Sequence, residues 1–486
     1  MHLATAHTRI RPNRNSREQI LAPKFGTSGL RGLVVELTPD LISNHVRAFL
    51  AAFPDIRTLY VGRDLRPSSP VIATTVAGAA LEVGVDVVDC GALPTPALAL
   101  AALDTGGGAI MVTGSHIPAD RNGLKFYTPA GEISKADERD ILDHLGQSPA
   151  GNRPPGQSKT DPNAGDRFVD RYRRAFGSTA LDGMRIGLYA HSSVGRDLLA
   201  ETLNSLGAEV IELARSNRFV PVDTEAVDDE TRARMLAWTK AHRLDATVST
   251  DGDADRPMLA DETGAIIPGD ILGQITSAAM GAEVIVTPVS SNSGAEARFA
   301  HVLRTKIGSP HVIAGMSDAG GKVAGYEANG GYLLGFAARA PEGEIAPLWT
   351  RDCFLPLIAP LARARHTPLS KIVAAEPGGK TRAARLTETP THLSAALTRQ
   401  LENDPAAQQD FLTALEGQLA ATDLTDGVRM TLKSGEVVHI RPSGNAPELR
   451  LYVEARTADR AESLLHKGLA VLREKIDAIG ADMGAP

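Results

Sequence analysis

The sequence predicts an α/β fold that consists of three similar units followed by a smaller α+β unit. Each repeated unit has an apolar strand-like run, then a polar or glycine-containing loop, then a helical segment. The three stretches are RTLYVGRDLRPSSPVIATTVAGAALEVG from Arg57, MRIGLYAHSSVGRDLLAETLNSLG from Met184 and AEVIVTPVSSNSGAEARFAHVL from Ala282. In the first two, another apolar run follows at once (VDVVDCG and AEVIELA), which is typical of βαβ units.

The C-terminal part of the chain has a different pattern. THLSAALTRQLEND predicts a helix, GVRMTLKSG, EVVHIRPSG and PELRLYVEA predict strands, and ADRAESLLHKGLAVLREKIDAIG predicts a closing helix. Linkers rich in proline, glycine and polar residues are expected at 148–165 and around Ala374. We therefore expect four domains, at residues 1–160, 161–265, 266–370 and 371–486.

The composition excludes several classes of protein. The chain has 486 residues and a formal charge of −7, from 51 basic and 58 acidic side chains, which gives no reason to expect nucleic acid or a membrane as a partner. Cys90 and Cys353 form no CxxC pair, so neither a disulfide framework nor a thiolate zinc site is indicated, and a reducing cytoplasm fits. We interpret the arginine-rich N-terminus as a flexible tail, because it lacks the apolar core of a signal peptide.

The segment LDATVSTDGDADRPMLADETG brings three carboxylates together after a predicted strand. Asp251, Asp253 and Asp255 would repel one another, and a hard divalent cation such as Mg²⁺ would relieve that repulsion. An EF-hand loop is the competing interpretation, since Glu262 stands at the twelfth position. Arg256 at the sixth position, where glycine is needed, and the preceding strand both oppose it. A solvated acidic turn is the other alternative.

The stretch GAIMVTGSHIPADRNGLKFY predicts a strand that ends at Thr113-Gly114, presents Ser115 and His116 on a loop, and turns back through Asn122-Gly123. The pattern GxSxG is absent and His116 directly follows Ser115, so an esterase triad is disfavoured. A serine that carries a phosphoryl group would instead need a divalent ion and basic side chains nearby. Candidates for the basic side chains are Arg31, Lys125 and Arg256, and an ordinary structural turn is the alternative.

Two further motifs contain groups that suit a phosphorylated sugar. In EVVHIRPSGNAPELRLYVEA, a strand runs into a glycine turn, where backbone N–H groups beside guanidinium groups can bind an anion. The residues concerned are Arg441, Ser443, Gly444, Asn445 and Arg450. In KVAGYEANGGYLLG, Glu327 and Asn329 could hydrogen-bond sugar hydroxyls. Ordinary hairpin turns are the alternative for both motifs.

Together the motifs are more specific than any one of them. KFGTSGLRG, TGSHIPADRNGLKFY, DGDADR, GYEANGG and RPSGNAPELR occur in this order, from about Lys24 to Tyr452, and resemble the α-D-phosphohexomutases. This superfamily comprises phosphomannomutases, phosphoglucomutases and phosphoglucosamine mutases. The resemblance implies mixed sheets and four domains around a central cleft, with a C-terminal domain that can swing.

The resemblance also implies a role for each candidate residue. Ser115 is the expected phosphoserine, and it shares a Mg²⁺ ion with Asp251, Asp253 and Asp255. The positions that stabilise phosphoryl transfer or assist proton transfer are matched by Arg31, His116, Lys125 and Arg256. The substrate-binding positions are matched by Lys306, Glu327, Asn329, Arg441, Ser443, Gly444, Asn445 and Arg450.

TGSHIP and TSGLRG favour the phosphomannomutase group, including its mannose/glucose members. The expected reaction interconverts mannose 1-phosphate and mannose 6-phosphate through a hexose 1,6-bisphosphate, with small hexose phosphates as the only partners and a monomer or homodimer as the assembly. Phosphoglucomutase and phosphoglucosamine mutase are alternatives, because the sugar loop reads Glu-Ala-Asn-Gly-Gly instead of Glu-x-Ser-Gly-His. From other classes, a metal-dependent phosphatase and a non-catalytic phosphosugar-binding protein stay open.

Overall fold

A computed structural model describes residues 23–26, 29–151, 153–443 and 447–484, and the predicted fold class is confirmed. Three α/β units with mixed sheets precede an α+β unit. Within the described residues, no helix has both the length and the apolar character needed to cross a membrane.

The first unit contains a sheet in the strand order β1-β2-β6-β5-β3-β4-β8, with β7 paired to β6. Its strands are β1 (Lys24–Phe25), β2 (Leu30–Leu33), β3 (Thr58–Arg63), β4 (Asp86–Ala92), β5 (Gly108–Val112), β6 (Arg121–Thr128), β7 (Gly131–Glu132) and β8 (Ser158–Thr160). Its helices are α1 (Pro39–Ala52), α2 (Ser69–Glu82), α3 (Thr95–Leu103) and α4 (Lys135–Asp143).

The second unit has the strand order β10-β9-β11-β12-β13. Its elements are α5 (Ala164–Phe176), β9 (Arg185–Tyr189), α6 (Arg196–Ser205), β10 (Glu209–Leu213), α7 (Asp229–His242), β11 (Ala246–Thr250), β12 (Pro257–Ala260) and β13 (Ile266–Ile267).

The third unit has the strand order β15-β14-β16-β17-β20, and β18 pairs separately with β19. Its elements are α8 (Gly269–Met280), β14 (Val284–Pro288), α9 (Gly294–Arg298), β15 (His301–Thr305), α10 (Ser309–Ala319), β16 (Val323–Tyr326), β17 (Tyr332–Leu334), β18 (Ala338–Arg339), β19 (Glu344–Ile345), β20 (Leu348–Asp352), α11 (Leu355–Ala364) and α12 (Leu369–Ala374).

These units share one topology. In each sheet a central strand (β3, β9 or β14) has a parallel strand on both sides, and the next strand along the sheet is antiparallel. The three stretches that predicted βαβ units form β3-α2-β4, β9-α6-β10 and β14-α9-β15. The repeat inferred from the sequence is therefore a repeat of structure.

The C-terminal unit is an antiparallel sheet in the order β21-β25-β24-β23-β22. Its elements are β21 (Lys380–Leu386), α13 (Thr391–Asn403), α14 (Pro405–Ala414), β22 (Leu419–Asp423), β23 (Val428–Leu432), β24 (Val437–Pro442), β25 (Leu449–Ala455) and α15 (Ala458–Gly484). The predicted helices and strands of this region are present, while β21, β22 and α14 were not anticipated.

Local sequence explains the elements that lead to the site. GAIMV forms β5 and every one of its residues is buried, because β5 lies inside the sheet and helices α2 and α3 pack against it. Asn122-Gly123, predicted as the turn after Ser115, lies inside β6 instead, and the turn is made by residues 113–120. A Cβ at Gly123 would stand 2.1 Å from the carbonyl oxygen of Leu30, so this glycine permits close strand pairing.

At two of the three predicted unit boundaries, the helices and strands favour a slightly later position. β13 extends the second sheet to Ile267, beyond the predicted boundary at 265, and α12 runs through the predicted boundary at 370. We propose a division after Thr160, Ile267 and Ala374, where elements end.

The hydrophobic cores indicate which units move together. One continuous cluster joins side chains of the first three units, including Leu98, Leu199 and Leu334. The C-terminal unit has its own cluster, which includes Leu451 and Leu472. The contacts across the joint to the third unit include polar ones, such as Asn292 Nδ2 donating to the Gly379 oxygen at 2.7 Å. This arrangement suits a C-terminal unit that rotates as one body.

We therefore expect Leu451→Ala to loosen the C-terminal unit alone. Its side chain is fully buried, so a cavity should cost about 2–5 kcal/mol of local stability. Hydrogen exchange should accelerate in β21–β25 and stay unchanged in β3, β9 and β14. Leu334→Ala, a cavity of the same size in the shared core, is the matched control and should leave β21–β25 protected. The same exchange pattern in both variants would contradict separate cores.

Candidate active site

The loop after β5 holds Ser115 in an unusual conformation. Its φ is 54°, in the left-handed region that non-glycine residues rarely adopt. The backbone N–H of Ser115 donates to Thr113 Oγ1 at 2.8 Å, and its hydroxyl donates to Asp251 Oδ2 at 2.5 Å. The side chain is almost fully buried. The loop thus brings the Ser115 hydroxyl to the end of β11 in the neighbouring unit.

A buried arginine that the sequence analysis missed holds this loop. Arg66 Nη1 donates to the carbonyl oxygens of Pro118 (2.6 Å) and Arg121 (2.9 Å). Its Nη2 donates to those of Ser115 (2.9 Å) and Ile117 (2.5 Å). The guanidinium group thereby ties together both ends of the turn between β5 and β6. The only sequence signal was its place in RDLRPSS, directly after a strand.

The three aspartates converge as predicted. Asp251, Asp253 and Asp255 are buried, and carboxylate oxygens from the three lie within 4.8 Å of one another. Lys125 Nζ lies 2.5 Å from Asp253 Oδ2 and 2.5 Å from Asp255 Oδ2. Thr95 Oγ1, at the start of α3, donates to Asp253 Oδ2 at 2.7 Å. Thr95 was not anticipated from the sequence.

This cluster fits a hard divalent cation. In the described part of the chain, Asp253 Oδ1 and Asp255 Oδ1 are buried without a hydrogen-bond partner. Buried carboxylate oxygens are the ligands that Mg²⁺ prefers, and leaving them unpaired is costly. Burial, followed by the charges of Asp253 and Asp255, raises the pKa of Asp251 well above its usual range. A cation bound here would relieve that repulsion.

The alternative interpretation as an EF-hand does not fit. β11 and β12 flank the loop where an EF-hand has helices. Glu262 accepts hydrogen bonds from the backbone N–H (3.2 Å) and the hydroxyl of Ser370, so its carboxylate is engaged elsewhere.

The predicted basic residues differ in how they contact the site. His116 Nδ1 lies 3.3 Å from Ser115 Oγ and accepts from Arg256 Nη1 at 3.0 Å. Burial, then Arg256, lowers the pKa of His116 to about 3, so its ring is neutral at pH 7. Arg31, on β2, is near enough to Asp253 for the two charges to interact. Burial lowers the pKa of Arg31 to about 10, and the group stays charged at neutral pH.

Arg351, at the end of β20, connects the aspartates with the predicted sugar loop. Its Nη2 lies 2.7 Å from Asp255 Oδ2, and its Nη1 lies 3.5 Å from Glu327 Oε2. All three side chains are buried. The sequence did not single out Arg351, because nothing in its neighbourhood distinguishes a buried arginine from an exposed one.

Asn329 has a role in its own turn. Its Oδ1 accepts from the backbone N–H of Gly331 at 3.0 Å, and its carbonyl oxygen accepts from Thr224 Oγ1 at 2.8 Å. These bonds shape the loop between β16 and β17, as the hairpin alternative anticipated. The carboxylate of Glu327, which lies on the same loop, is buried beside Arg351.

The predicted phosphate loop follows β24. Arg441 and Arg450 stand opposite each other on β24 and β25, and Arg441 Nε lies 2.9 Å from Asp426 Oδ1. The N–H of Ser443 donates to the Glu448 oxygen at 2.9 Å. Gly444 and Asn445 lie outside the described residues.

Lys306 is exposed and follows β15 directly. The next residue, Ile307, donates its N–H to Asp426 Oδ2 at 2.8 Å, and Asp426 also pairs with Arg441. The segment that contains Lys306 therefore borders the predicted phosphate loop.

Two acidic residues in the segment before α7 were missed. Asp223 and Glu225 line a small cavity together with Arg450 and Tyr452. Burial raises the pKa of Asp223, but His116 and Arg256 outweigh burial and lower it to about 2. This segment thus lies between the Ser115 end of the site and the arginines of the C-terminal unit.

The chain matches the four domain descriptions of one family in order. They are phosphoglucomutase/phosphomannomutase α/β/α domain I at residues 22–150, domain II at 166–264, domain III at 260–377 and the C-terminal domain at 395–469.

Two relatives are similar over nearly their whole length. A phosphomannomutase of Sinorhizobium fredii is 45% identical over 94% of this chain and 100% of that protein. A phosphomannomutase of Salmonella muenchen is 41% identical over 93% of this chain and 96% of that protein. The solved structure of a phosphoglucomutase/phosphomannomutase family protein from Burkholderia thailandensis shares the fold, with a TM-score of 0.73, 21% identity, and coverage of 95% of this chain and 98% of that chain.

We predict that the aspartate cluster forms one Mg²⁺ site. Asp251→Asn should lower the affinity of this site for Mg²⁺ by at least about tenfold, because the charge of one ligand is lost. The substitution is nearly isosteric, and its oxygen can still accept from the N–H groups of Asp255 and Arg256. Titration calorimetry with Mg²⁺ measures the affinity. Glu262→Gln is the matched control and should bind Mg²⁺ normally. Loss of binding in Glu262→Gln with retention in Asp251→Asn would contradict this site.

Proposed function

This chain belongs to the phosphoglucomutase/phosphomannomutase family, and from that premise we propose that it interconverts mannose 1-phosphate and mannose 6-phosphate. The two full-length relatives named phosphomannomutase support mannose as the sugar. Glucose phosphates are the second candidate substrates. The observation that carries the proposal is the buried Ser115 hydroxyl, bonded to Asp251 at the edge of a carboxylate cluster that fits Mg²⁺.

In the proposed reaction, Ser115 Oγ carries a phosphoryl group between the two ends of the sugar. The group leaves Ser115 for a sugar hydroxyl, giving a hexose 1,6-bisphosphate, and the other phosphate of that bisphosphate then returns to Ser115. Mg²⁺ held by Ser115, Asp251, Asp253 and Asp255 would neutralise charge on the transferring group. Arg31 and Arg256 add fixed positive charge where that charge develops.

A proton must leave the sugar hydroxyl as it accepts the phosphoryl group. The candidates are His116 and Lys125, and they differ in charge. His116 is neutral and its Nδ1 lies beside Ser115 Oγ, but that nitrogen accepts from Arg256 Nη1. His116 would therefore have to exchange this hydrogen bond for one from the sugar hydroxyl before it could take the proton. Lys125 is ion-paired with Asp253 and Asp255, and in this arrangement its positive charge balances the carboxylates.

The non-reacting phosphate is assigned to the C-terminal unit. Arg441 and Arg450 face each other there, with Ser443 at the start of the loop. Glu327 and Asn329 are assigned to the sugar hydroxyls. Because a fixed phosphate anchor and a fixed donor serve both orientations of the bisphosphate, the sugar must fit in two reversed directions. Rotation of the C-terminal unit would give the intermediate room to turn.

The proposal predicts that mannose 1-phosphate has the highest kcat/KM of the three relevant sugar phosphates, given a trace of hexose 1,6-bisphosphate. The kcat/KM for glucosamine 1-phosphate should be at least about tenfold lower, because its amino group replaces a hydroxyl and leaves polar groups of the site without their hydrogen-bond partner. Coupled assays with mannose, glucose and glucosamine 1-phosphates give the ratios.

Ser115→Ala should abolish the isomerisation, whereas Ser434→Ala, at an exposed serine, is the matched control and should keep it. Inorganic phosphate is measured in the same reactions. Steady phosphate release without isomerised sugar would overturn the mutase in favour of a phosphatase, and saturable binding without turnover would point to a sensor.

A further inference from the structure

We propose that Arg66 and Phe219 form a clamp that positions the Ser115 loop for phosphoryl transfer, an inference that rests on the function proposed above. Neither side chain contacts the Ser115 hydroxyl in the hydrogen bonds of the described residues. They are positioning residues, which act through the backbone of the loop.

The first half of the clamp is the guanidinium group of Arg66, whose position is fixed by hydrogen bonds. Asp64 Oδ2 accepts from Arg66 Nε at 3.1 Å, and Asp64 is fixed in turn by the hydroxyls of Ser69 (2.5 Å) and Thr113 (2.8 Å). Arg66 and Asp64 are fully buried. A Cβ at Gly114 would stand 2.4 Å from the Arg66 guanidinium carbon, so the loop packs directly on this group.

The second half of the clamp comes from the neighbouring unit. The guanidinium carbon of Arg66 lies 4.0 Å from the centre of the Phe219 ring, within the range of a cation–π contact. A Cβ at Gly252, in the aspartate loop, would stand 3.0 Å from the same ring and 2.7 Å from the backbone carbonyl oxygen of Ser115. The Phe219 ring therefore packs against Arg66, which holds the Ser115 loop, and against Gly252 of the aspartate loop.

Phe219 is itself fixed relative to the aspartates. The N–H of the next residue, Val220, donates to Ser192 Oγ at 2.7 Å, and the N–H of Ser216 donates to the His191 oxygen at 2.9 Å. His191 Nε2 lies 2.8 Å from the carbonyl oxygen of Thr250, the last residue of β11. The position of Phe219 is thus tied to the strand end that presents Asp251.

The clamp matters because the Ser115 conformation is unfavourable by itself. A non-glycine residue in the left-handed region is strained, and this conformation persists only where surrounding contacts enforce it. If the clamp is weakened, the hydroxyl leaves Asp251 for part of the time. The proposed sugar contacts lie on the third and C-terminal units, so KM should be preserved while kcat falls.

The test uses the full chain with Arg66→Lys, Phe219→Leu and Phe219→Tyr. Arg66→Lys keeps the charge but lacks the fork that reaches four carbonyl oxygens, so kcat should fall at least about 100-fold with KM within about twofold. Phe219→Leu keeps an apolar contact without the ring and should lower kcat about 2- to 30-fold. Phe219→Tyr restores the ring and should approach the wild-type kcat. Arg215→Lys, at an exposed arginine that binds Asp197, is the matched control.

Hydrogen exchange of residues 113–121 is measured on the same proteins. It should accelerate in Arg66→Lys and Phe219→Leu and stay at the wild-type rate in Phe219→Tyr and Arg215→Lys. Unchanged exchange in Phe219→Leu, or a raised KM with kcat intact, overturns the clamp. If Arg66→Lys does not fold, the Phe219 pair decides. If the wild type lacks mutase turnover, the proposed function fails, and the exchange data still decide whether the clamp exists.

Discussion

The buried carboxylates at the end of β11 are the constraint on which the rest of the site depends. Three negative charges out of contact with water repel one another, and the chain compensates them with Lys125, Arg351 and Arg256. The compensation leaves two buried carboxylate oxygens without hydrogen-bond partners among the described residues. A site with this surplus of oxygen ligands is prepared for a cation. The proposed acceptance of phosphoryl by Ser115 depends on it, because the serine hydroxyl is already bonded to the same cluster.

The repeated topology explains how residues from distant parts of the chain reach one place. In each α/β unit, the residues proposed to be functional follow the strands of a mixed sheet: Ser115 after β5, Asp251 after β11 and Glu327 after β16. These strands occupy equivalent places beside the central strand, so their loops project equivalently. Long basic side chains then connect the loops through ion pairs with Asp255. Lys125 extends from the first unit to the second, and Arg351 extends from the third unit to the second. The fourth unit has a separate core and carries Arg441 and Arg450, the arginines proposed to bind the non-reacting phosphate.

Much of this arrangement was predictable because it depends on local patterns. Apolar runs that end in polar loops gave the strands, and the alternation of aspartates gave the cluster. The residues that were missed share a different property. They interact with residues far away in the chain, as Arg66, Arg351 and Asp223 show. The sequence does not distinguish a buried charged side chain from an exposed one. Asn122-Gly123 was misplaced in a turn for the same reason, since its glycine serves packing against β2.

The mass of the Ser115 peptide during turnover tests whether Ser115 is the phosphoryl carrier. The protein is treated with hexose 1,6-bisphosphate and Mg²⁺, freed of small molecules, and analysed before and after mixing with mannose 6-phosphate. We predict one phosphate on Ser115 both before and after mixing, because the other phosphate of the bisphosphate returns to the serine. If the phosphate on Ser115 is first labelled with ¹⁸O, the label should move to the sugar and the phosphate found on Ser115 after mixing should be unlabelled. A Ser115 peptide that never carries phosphate while mannose 1-phosphate and mannose 6-phosphate are interconverted would show that Ser115 is not the carrier.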